Sequence, residues 1–456
     1  MRMKGKGAIP ALMASVAVVG SLVIGAPIVL NREPEDTYRR PNILVIVTDD
    51  QRAIDTLGAM VETRRWFAAH GTRFVNAFAT TPVCCPSRAS IFTGRYAHNH
   101  GTLSNDDGEA LKLDQGSTIQ RYLDDAGYFT AMIGRYLNGF PMEATPPHFD
   151  RFARCGCPYN DPEVNIDRSL RGVNGYLTDF MTDWTLDRLA ETEREDDRPW
   201  FLYLAPKAPH SPPVPQARYE SAPVKVFRPN PAVREKDVSD KPPYVARGRD
   251  RVPATLPSQQ LRTLLSVDDM IGELRRALRS LGEERRTLAF FLSDNGLLWG
   301  EHGLTGKGVP YKASVRVPLL MTWPGRVDQG VVSRRLVGNI DVAPTILDAA
   351  GLQSEQSMDG RSLLTGSARD RILAEMFGSL HDPGLRWAST ITKSYQYVEY
   401  FDRSDRVTQR EYYDLQRDPW QLHNVLGDAS ETNDPDVRSL SRRLHSDSEC
   451  AGASCP

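Results

Sequence analysis

Cys84 and Arg88 stand four residues apart in the stretch 81–94, TPVCCPSRASIFTG, with Pro86 and Ser87 between them. Four residues is about one helical turn, so the two side chains share a helix face. Proline is well tolerated just inside a helix start. The stretch therefore reads as a loop that breaks into a helix, with Cys84 at its positive end. That position suits an anion and lowers a thiol's pKa. Arg88, one turn in, offers a planar fork of donors to the same anion. The residues alone give an anion-facing, activated cysteine. The adjacent pair Cys84 and Cys85 also suits a disulfide or a core position.

Two further pairs could hold a metal. Asp49 and Asp50 follow one apolar run, and Asp294 and Asn295 follow another. Adjacent carboxylates at the end of a strand are costly unless something positive sits between them. Four oxygen donors without thiolate or imidazole favour Ca²⁺ or Mg²⁺ over zinc. Taken singly, Asp-Asp also reads as a helix cap and Asp-Asn as a turn. Arg135, His210 and Lys307 are the remaining candidates, as cations able to hold a tetrahedral oxyanion beside such a metal. A lone His or Lys on a loop is otherwise a solvated side chain.

What must position these residues is a set of short β-branched and aromatic runs. Residues 42–47, 129–133, 200–205 and 288–292 each read as a strand buried on both faces. Each is followed closely by one of the candidates: Asp49, Arg135, His210 and Asp294. Helical patterns at 119–126 and 261–281 lie between them. Alternating strands and helices argue for an α/β fold, a mainly parallel sheet covered on both faces, which binds ligands at the carboxyl ends of its strands. A strand at 318–322 and a helix at 342–350, stopped by Gly351, complete this part. Residues 141–170 read as a long insertion with weak periodicity. The Pro- and Arg-rich residues 211–257 read as a long loop suited to substrate recognition or to a solvated excursion. Beyond Gly360 the pattern changes to short strands at 371–377, 387–392, 395–401 and 411–414. The expected organisation is an N-terminal segment 1–27, a linker 28–40, a catalytic domain 41–366, and a smaller C-terminal domain 367–456 with an antiparallel sheet.

The 456 residues are 40% hydrophobic and 25% charged, with a net charge of −2 and a mean hydropathy of −0.43. These values describe a globular chain, exclude a polytopic membrane protein and give no basic excess for nucleic acid. Arg2, Lys4 and Lys6 precede an apolar run from Ala8 to Ala26, the layout of a secretory signal. It is long enough to serve as an uncleaved anchor, the one route by which the chain would meet a membrane. The expected location is outside the cell or on its surface. Six cysteines fit export. Cys450 and Cys455 frame a short polar tail and are expected to pair, while Cys155 and Cys157 suit either a tight ring or two free thiols.

Cys84-x-Pro86-Ser87-Arg88 followed by Thr93-Gly94-Arg95 resembles the sulfatase signature, and the run 84–100 is most similar to the glucosamine-6-sulfatase and extracellular heparan sulfatase branch. The resemblance extends in order through Asp49-Asp50-Gln51, Pro209-His210-Ser211-Pro212, Ser293-Asp294-Asn295-Gly296 and Lys307, covering most of 41–324 and, weakly, the C-terminal part. It implies an alkaline-phosphatase-like fold. It also implies that Cys84 is oxidised to formylglycine (3-oxoalanine) by a formylglycine-generating enzyme. Calcium is then held by Asp49, Asp50, Asp294, Asn295 and the modified Cys84, with Arg88, Arg135, His210 and Lys307 around the sulfate. In the family an oxygen of the formylglycine hydrate attacks sulfur. The alcohol leaves with a proton from His210 or Lys307, and collapse to the aldehyde expels sulfate.

The chain departs from the family at Arg135, where Lys is usual, and at Leu137, where many members have His. Arg keeps the charge but is bulkier and does not release its proton. Phe92 replaces the usual Leu. His98 and His100 suit either a sugar pocket or a helix end, and Glu301 and His302 are equally open. The resemblance implies hydrolysis of sulfate monoesters of a small molecule or glycan such as 6-sulfated N-acetylglucosamine. The alternatives are a phosphonate monoester or phosphodiester hydrolase of the same superfamily and a non-catalytic binder of sulfated glycans.

Overall fold

Ten strands build the main sheet. In chain order its first eight are β1 (Asn42–Thr48), β2 (Thr72–Phe78), β3 (Phe129–Gly134), β4 (Arg151–Cys155), β5 (Glu163–Ile166), β6 (Ser169–Gly172), β7 (Trp200–Ala205) and β8 (Thr287–Ser293). A two-stranded ribbon, β9 (Leu298–Trp299) and β10 (Thr305–Gly306), follows, and β11 (Leu319–Thr322) and β12 (Val331–Gly338) return to the sheet. The spatial order is β12-β2-β11-β8-β1-β7-β3-β4-β5-β6. The centre, β8-β1-β7-β3-β4, is parallel throughout, while β11, β5 and β6 run antiparallel to their neighbours. The computed structural model describes residues 39–156, 158–194, 198–247, 252–366, 368–378, 384, 386–428 and 430–456. The expected signal segment, most of the linker and Cys157 lie outside them. Among the described residues no helix is long and apolar enough to cross a membrane.

The reason for the central order is visible in β1. Its alternate residues Ile43, Val45 and Val47 join one core and Leu44 and Ile46 the other, as a strand buried on both faces must do. On the first face lie helices α1 (Cys84–Thr93), α2 (Ile119–Asp125) and, later in the chain, Val342–Ala350. On the second lie α3 (Leu177–Arg194) and α4 (Leu256–Ser280). Helix α4 buries Leu264, Val267, Ile271, Leu274 and Leu278 at the three- and four-residue spacing of one helix face. Each such side chain, fully removed from water, contributes about 1.5–3 kcal/mol.

The region read as an insertion at 141–170 is not without structure: it carries β4 and β5 and leads into β6, so it extends the sheet. Short strands with exposed ends, such as Ser169–Gly172, carry little periodicity to read. Strands β2 and β12 were not expected either. Among its described residues the long segment 211–257 holds single turns, the short helix Pro243–Arg247 and the first two residues of α4.

A second sheet is fully antiparallel, in the order β13 (Arg371–Phe377), β14 (Arg386–Thr392), β15 (Tyr395–Phe401), β16 (Val407–Asp414). The helix Val437–Ser448 follows it, and a disulfide joins Cys450 to Cys455 as expected. Residues Arg40–Pro456 form one compact unit that contains both sheets.

Candidate active site

The candidate residues converge at the carboxyl ends of β1, β3, β7 and β8, and the backbone there is specialised. Gly134 closes β3 at φ +98°, and a Cβ on it would meet the Ala205 carbonyl oxygen at 2.2 Å. Only glycine allows this approach, and it lets the Arg135 amide donate to that carbonyl at 2.9 Å. Asp50 adopts φ 65°, a left-handed conformation that turns the chain just beyond β1.

Helix α1 begins at Cys84 and ends at Gly94, whose φ of 68° forms the left-handed cap. All ten of its residues are buried, so its polar side chains must find partners inside the protein. The Arg88 guanidinium does so with Nε to Asp294 Oδ2 at 3.0 Å, Nη2 to Asp49 Oδ2 at 3.0 Å and Nη1 to the Arg135 carbonyl at 2.7 Å. Arg135 Nη1 donates to the same Asp49 Oδ2. Two guanidinium groups therefore meet on one carboxylate oxygen. Burial alone would raise the Asp49 carboxyl, but Arg135, Arg88, His210 and Lys307 together hold it well below the usual range. Burial and the Asp49 charge push Asp294 upward, so Asp49 is the firmer anion of the two.

Cys84 Sγ lies 3.7 Å from Asp49 Oδ1 and accepts from Lys307 Nζ at 2.7 Å. Lys307 also donates to Asp50 Oδ1 and, at 3.4 Å, to Asn295 Oδ1. Asn295 Nδ2 donates to Asp50 Oδ1 at 2.7 Å, and the amides of Asp50 and Asn295 donate to Asp294 Oδ1. His210 Nε2 stands 3.7 Å from Asp50 Oδ2 and is the most exposed member, its side chain 28% accessible.

One expectation is overturned. The thiol of Cys84 is not activated: burial and then the Asp49 carboxylate push its pKa up, and Lys307 only partly offsets them. The thiol sits at the helix start, yet it is fully buried and faces the Asp49 carboxylate. Neither Cys84 nor Cys85 forms a disulfide.

The donors fit a hard divalent cation. Among the described residues, the ligand atoms of Asp49, Asp50, Cys84 and His210 lie within 4.8 Å of one another. Asp294 and Asn295 Oδ1 add further buried oxygens at the same strand ends.

Three further residues position the helix and the strand end beside it. Ser87 Oγ donates to the Asp294 carbonyl, and Asn339 Nδ2 donates to Ser87 Oγ at 2.9 Å. Asn105 Oδ1 accepts from the Cys85 amide at 2.8 Å. Ser87 lies inside the signature, but its spacing does not tell what its hydroxyl bonds. Asn105 comes from a loop and Asn339 from the helical turn Asn339–Asp341 after β12, and no local pattern connects either to the helix.

The histidines left open by the sequence all bond within the protein. His98 Nδ1 lies 2.9 Å from both Glu375 carboxylate oxygens, and Nε2 lies 3.0 Å from the Cys450 carbonyl. His100 bonds Ser90 Oγ at 3.1 Å. His302 is buried against Glu235 at 2.6 Å, and Glu301 pairs with Arg52 at 2.6 Å.

Comparison with known proteins places this arrangement. A family model described as Sulfatase matches residues 41–352, and one described as N-sulphoglucosamine sulphohydrolase, C-terminal, matches 300–449. An extracellular sulfatase SULF-1 homologue of Drosophila melanogaster is 32% identical over 72% of this chain, which spans only 31% of that relative. Human N-acetylglucosamine-6-sulfatase is 31% identical over 91% of the chain and 86% of its own length. A solved structure in complex with its substrate D-glucosamine-2-N,6-O-disulfate superposes with a TM-score of 0.77 at 22% identity, covering 89% of this chain and 97% of that one.

Proposed function

The chain belongs to the sulfatase family, and from that premise we propose that it is an exported sulfuric ester hydrolase acting on sulfate monoesters of a sugar, with 6-sulfated N-acetylglucosamine as the substrate class. The observation that carries the reading is the convergence of Arg88, Arg135, Lys307 and His210 on the buried Asp49, Asp50 and Cys84. That is a preorganised cationic receptor for the sulfuryl oxygens, which carry the charge as the nucleophile displaces the alcohol in line at sulfur, beside an oxygen-rich metal site.

Asp49, Asp50, Asp294 and Asn295 would hold Ca²⁺, with Mg²⁺ the other cation the donors suit, and the modified Cys84 would complete the set. The bound ion and the formylglycine hydrate at position 84 would supply an ionised oxygen nucleophile next to sulfur. Arg88 fixes Asp49 and Asp294, so that both carboxylates keep their places when the site is charged. Arg135 clamps the sulfate oxygens through donors not spent on Asp49. Lys307, within hydrogen-bond reach of position 84, stabilises negative charge there. His210, the most exposed of the group, protonates the alcohol as it leaves. Export is supported by the charged and apolar character of residues 1–27.

The test is a mass spectrum of the peptide containing Cys84, from protein made in its own host, beside rates on an aryl sulfate and an aryl phosphodiester. Aldehyde in place of thiol and faster sulfate turnover are expected. Thiol from a host that converts other such motifs would overturn the reading, and so would faster turnover of the phosphodiester.

A further inference from the structure

His210 lies five residues beyond the end of β7, on a loop whose backbone is pinned on both sides of it. Two peptide groups meet at its Cα. The first, between Pro209 and His210, is fixed at both ends: Gln260 Nε2 donates to the Pro209 carbonyl at 2.8 Å, and the His210 amide donates to the Lys207 carbonyl at 2.9 Å. The second, between His210 and Ser211, is fixed by Tyr159, whose hydroxyl donates to the His210 carbonyl at 2.8 Å. Peptide groups are planar, so holding the two that flank a residue sets its φ and ψ, and with them the direction of its Cβ. The ring is set in turn. His210 Nδ1 lies 2.5 Å from the Ser211 carbonyl oxygen, which can only accept. Nδ1 therefore carries a proton, and Nε2 is the nitrogen turned toward Asp50 and the site.

The two side chains that hold this loop are themselves fixed by other elements. Gln260 is buried near the start of α4. The Trp299 indole, from β9, donates to its Oε1 at 2.5 Å. An indole cannot accept, so the amide has one orientation, with Nε2 toward Pro209. Tyr159 is buried in the connection between β4 and β5. Its own carbonyl accepts from the Leu177 amide at 2.8 Å, and its ring stacks on Tyr176 at 6.0 Å. The Tyr176 hydroxyl reaches the same loop further on and donates to the Val214 carbonyl at 2.9 Å. Three separate parts of the fold thus converge on one residue of the site.

A proton donor needs such fixing more than a clamp does. Charge acts as the inverse of distance and tolerates small shifts. Proton transfer requires the donor within hydrogen-bond reach of the leaving oxygen, and a misplacement on the order of 1 Å costs about 100-fold.

We propose that Tyr159 and Gln260 are positioning residues for His210, holding its imidazole where Nε2 passes a proton to the leaving oxygen. This rests on the role given to His210 in the sulfatase reading above. As the bond between sulfur and the leaving oxygen breaks, its electron pair goes to that oxygen, which takes the Nε2 proton. The imidazolium becomes neutral, with Nδ1–H still on the Ser211 carbonyl. Tyr159 and Gln260 act through His210 and not on the substrate.

The test uses Tyr159→Phe, which deletes only the hydroxyl, and Gln260→Met, which keeps the length of the side chain, with His210→Ala as the reference. Each is assayed on 4-nitrophenyl sulfate, whose phenolate leaves without a proton. Phenyl sulfate and N-acetylglucosamine 6-sulfate, whose leaving oxygens are more basic, complete the set. Melting curves check that each variant folds, and if Gln260→Met does not, Tyr159→Phe decides alone. Both variants should lower kcat about tenfold on the two basic leaving groups and less than about twofold on 4-nitrophenyl sulfate, with KM little changed. In the His210→Ala background the same substitutions should add no loss that depends on the leaving group, because the residue they position has lost its ring. No loss, an equal loss on all three substrates, or a selective loss that persists without His210 overturns the proposal while leaving the sulfatase reading intact. A wild type that cleaves none of the three overturns the sulfatase reading, and the proposal falls with it.

Discussion

Lys307 Nζ lies 2.7 Å from Cys84 Sγ, joining two residues 223 positions apart in the chain. The same ammonium reaches Asp50 Oδ1 and Asn295 Oδ1. One charge thus connects the residue expected to carry the nucleophile with two of the expected metal ligands. Burial opposes the charge, but Asp50 and then Cys84, Asp49 and Asp294 more than offset that and hold Lys307 protonated. Its role follows from its reach: it can stabilise an oxygen at position 84, and it keeps Asp50 in place.

Lys307→Ala should lower kcat/KM on an aryl sulfate by at least about 100-fold, the scale of losing one fixed donor to a developing charge. Circular dichroism checks that the variant folds, and steady-state kinetics gives the loss. A folded variant within about tenfold of wild type would remove Lys307 from the reaction.

Arg135 stands where the family usually has Lys, yet it meets Asp49 as a clamp would. Arg135→Lys keeps the charge and loses the fork, and its rate should stay within about tenfold. Arg135→Ala should lose more than about 100-fold. A nearly inert wild type restored by Arg135→Lys would show instead that the size of arginine obstructs the site.

How much of this could be read from the chain depends on how each element is buried. Strands β1, β3, β7 and β8 are covered on both faces, so each is a continuous apolar run, and each leads toward a site residue. Strand β2, TRFVNAF, carries Arg73 and Asn76 among partly exposed positions and shows neither a run nor a clean alternation. Strand β12 lies at the edge, starts with the exposed Val331 and Val332 and passes through Arg334 and Arg335. Local periodicity could not find either. The site itself was legible because Asp49, Arg135, His210 and Asp294 follow these strands and Cys84 and Arg88 share one turn of α1. The direction of the Cys84 shift was not, since it is set first by burial and then by the Asp49 carboxylate, which only the folded chain brings together.

Cys85, next to the expected nucleophile, should be chemically silent. It is fully buried and its Sγ donates to the Asn138 carbonyl at 3.4 Å. Burial pushes its thiol up to about 12, partly offset by that bond. At pH 8 only about one molecule in 10⁴ would hold a thiolate, the reactive form. Iodoacetamide should therefore label Cys85 in the native protein at least about 100-fold more slowly than in denaturant, as read by peptide mass spectrometry. Labelling at the unfolded rate would show that this helix opens.

The tail is fastened by a charge that depends on pH. The partners of His98, the Glu375 carboxylate and the Cys450 carbonyl, can only accept, so both ring nitrogens must carry protons for both bonds to form. Burial opposes this cation, but the Glu375 hydrogen bond and charge, with the Cys450 carbonyl and Asp359 adding to them, raise its pKa above 6.5. A raised folded pKa means that stabilisation is complete below the unfolded value and is lost as pH rises through the folded one. His100 acts in the opposite sense. Burial and the His98 charge lower it to about 3, so it costs stability as pH falls below 6.5. The contribution of His98 must therefore be read as a difference between proteins. The melting temperature of wild type minus that of His98→Gln should be largest near pH 5 to 6 and should shrink toward pH 9. Protease cleavage near the Cys450–Cys455 loop should be faster in the variant at the acidic end. A difference that grows with pH, or stays flat, would show that His98 is held neutral.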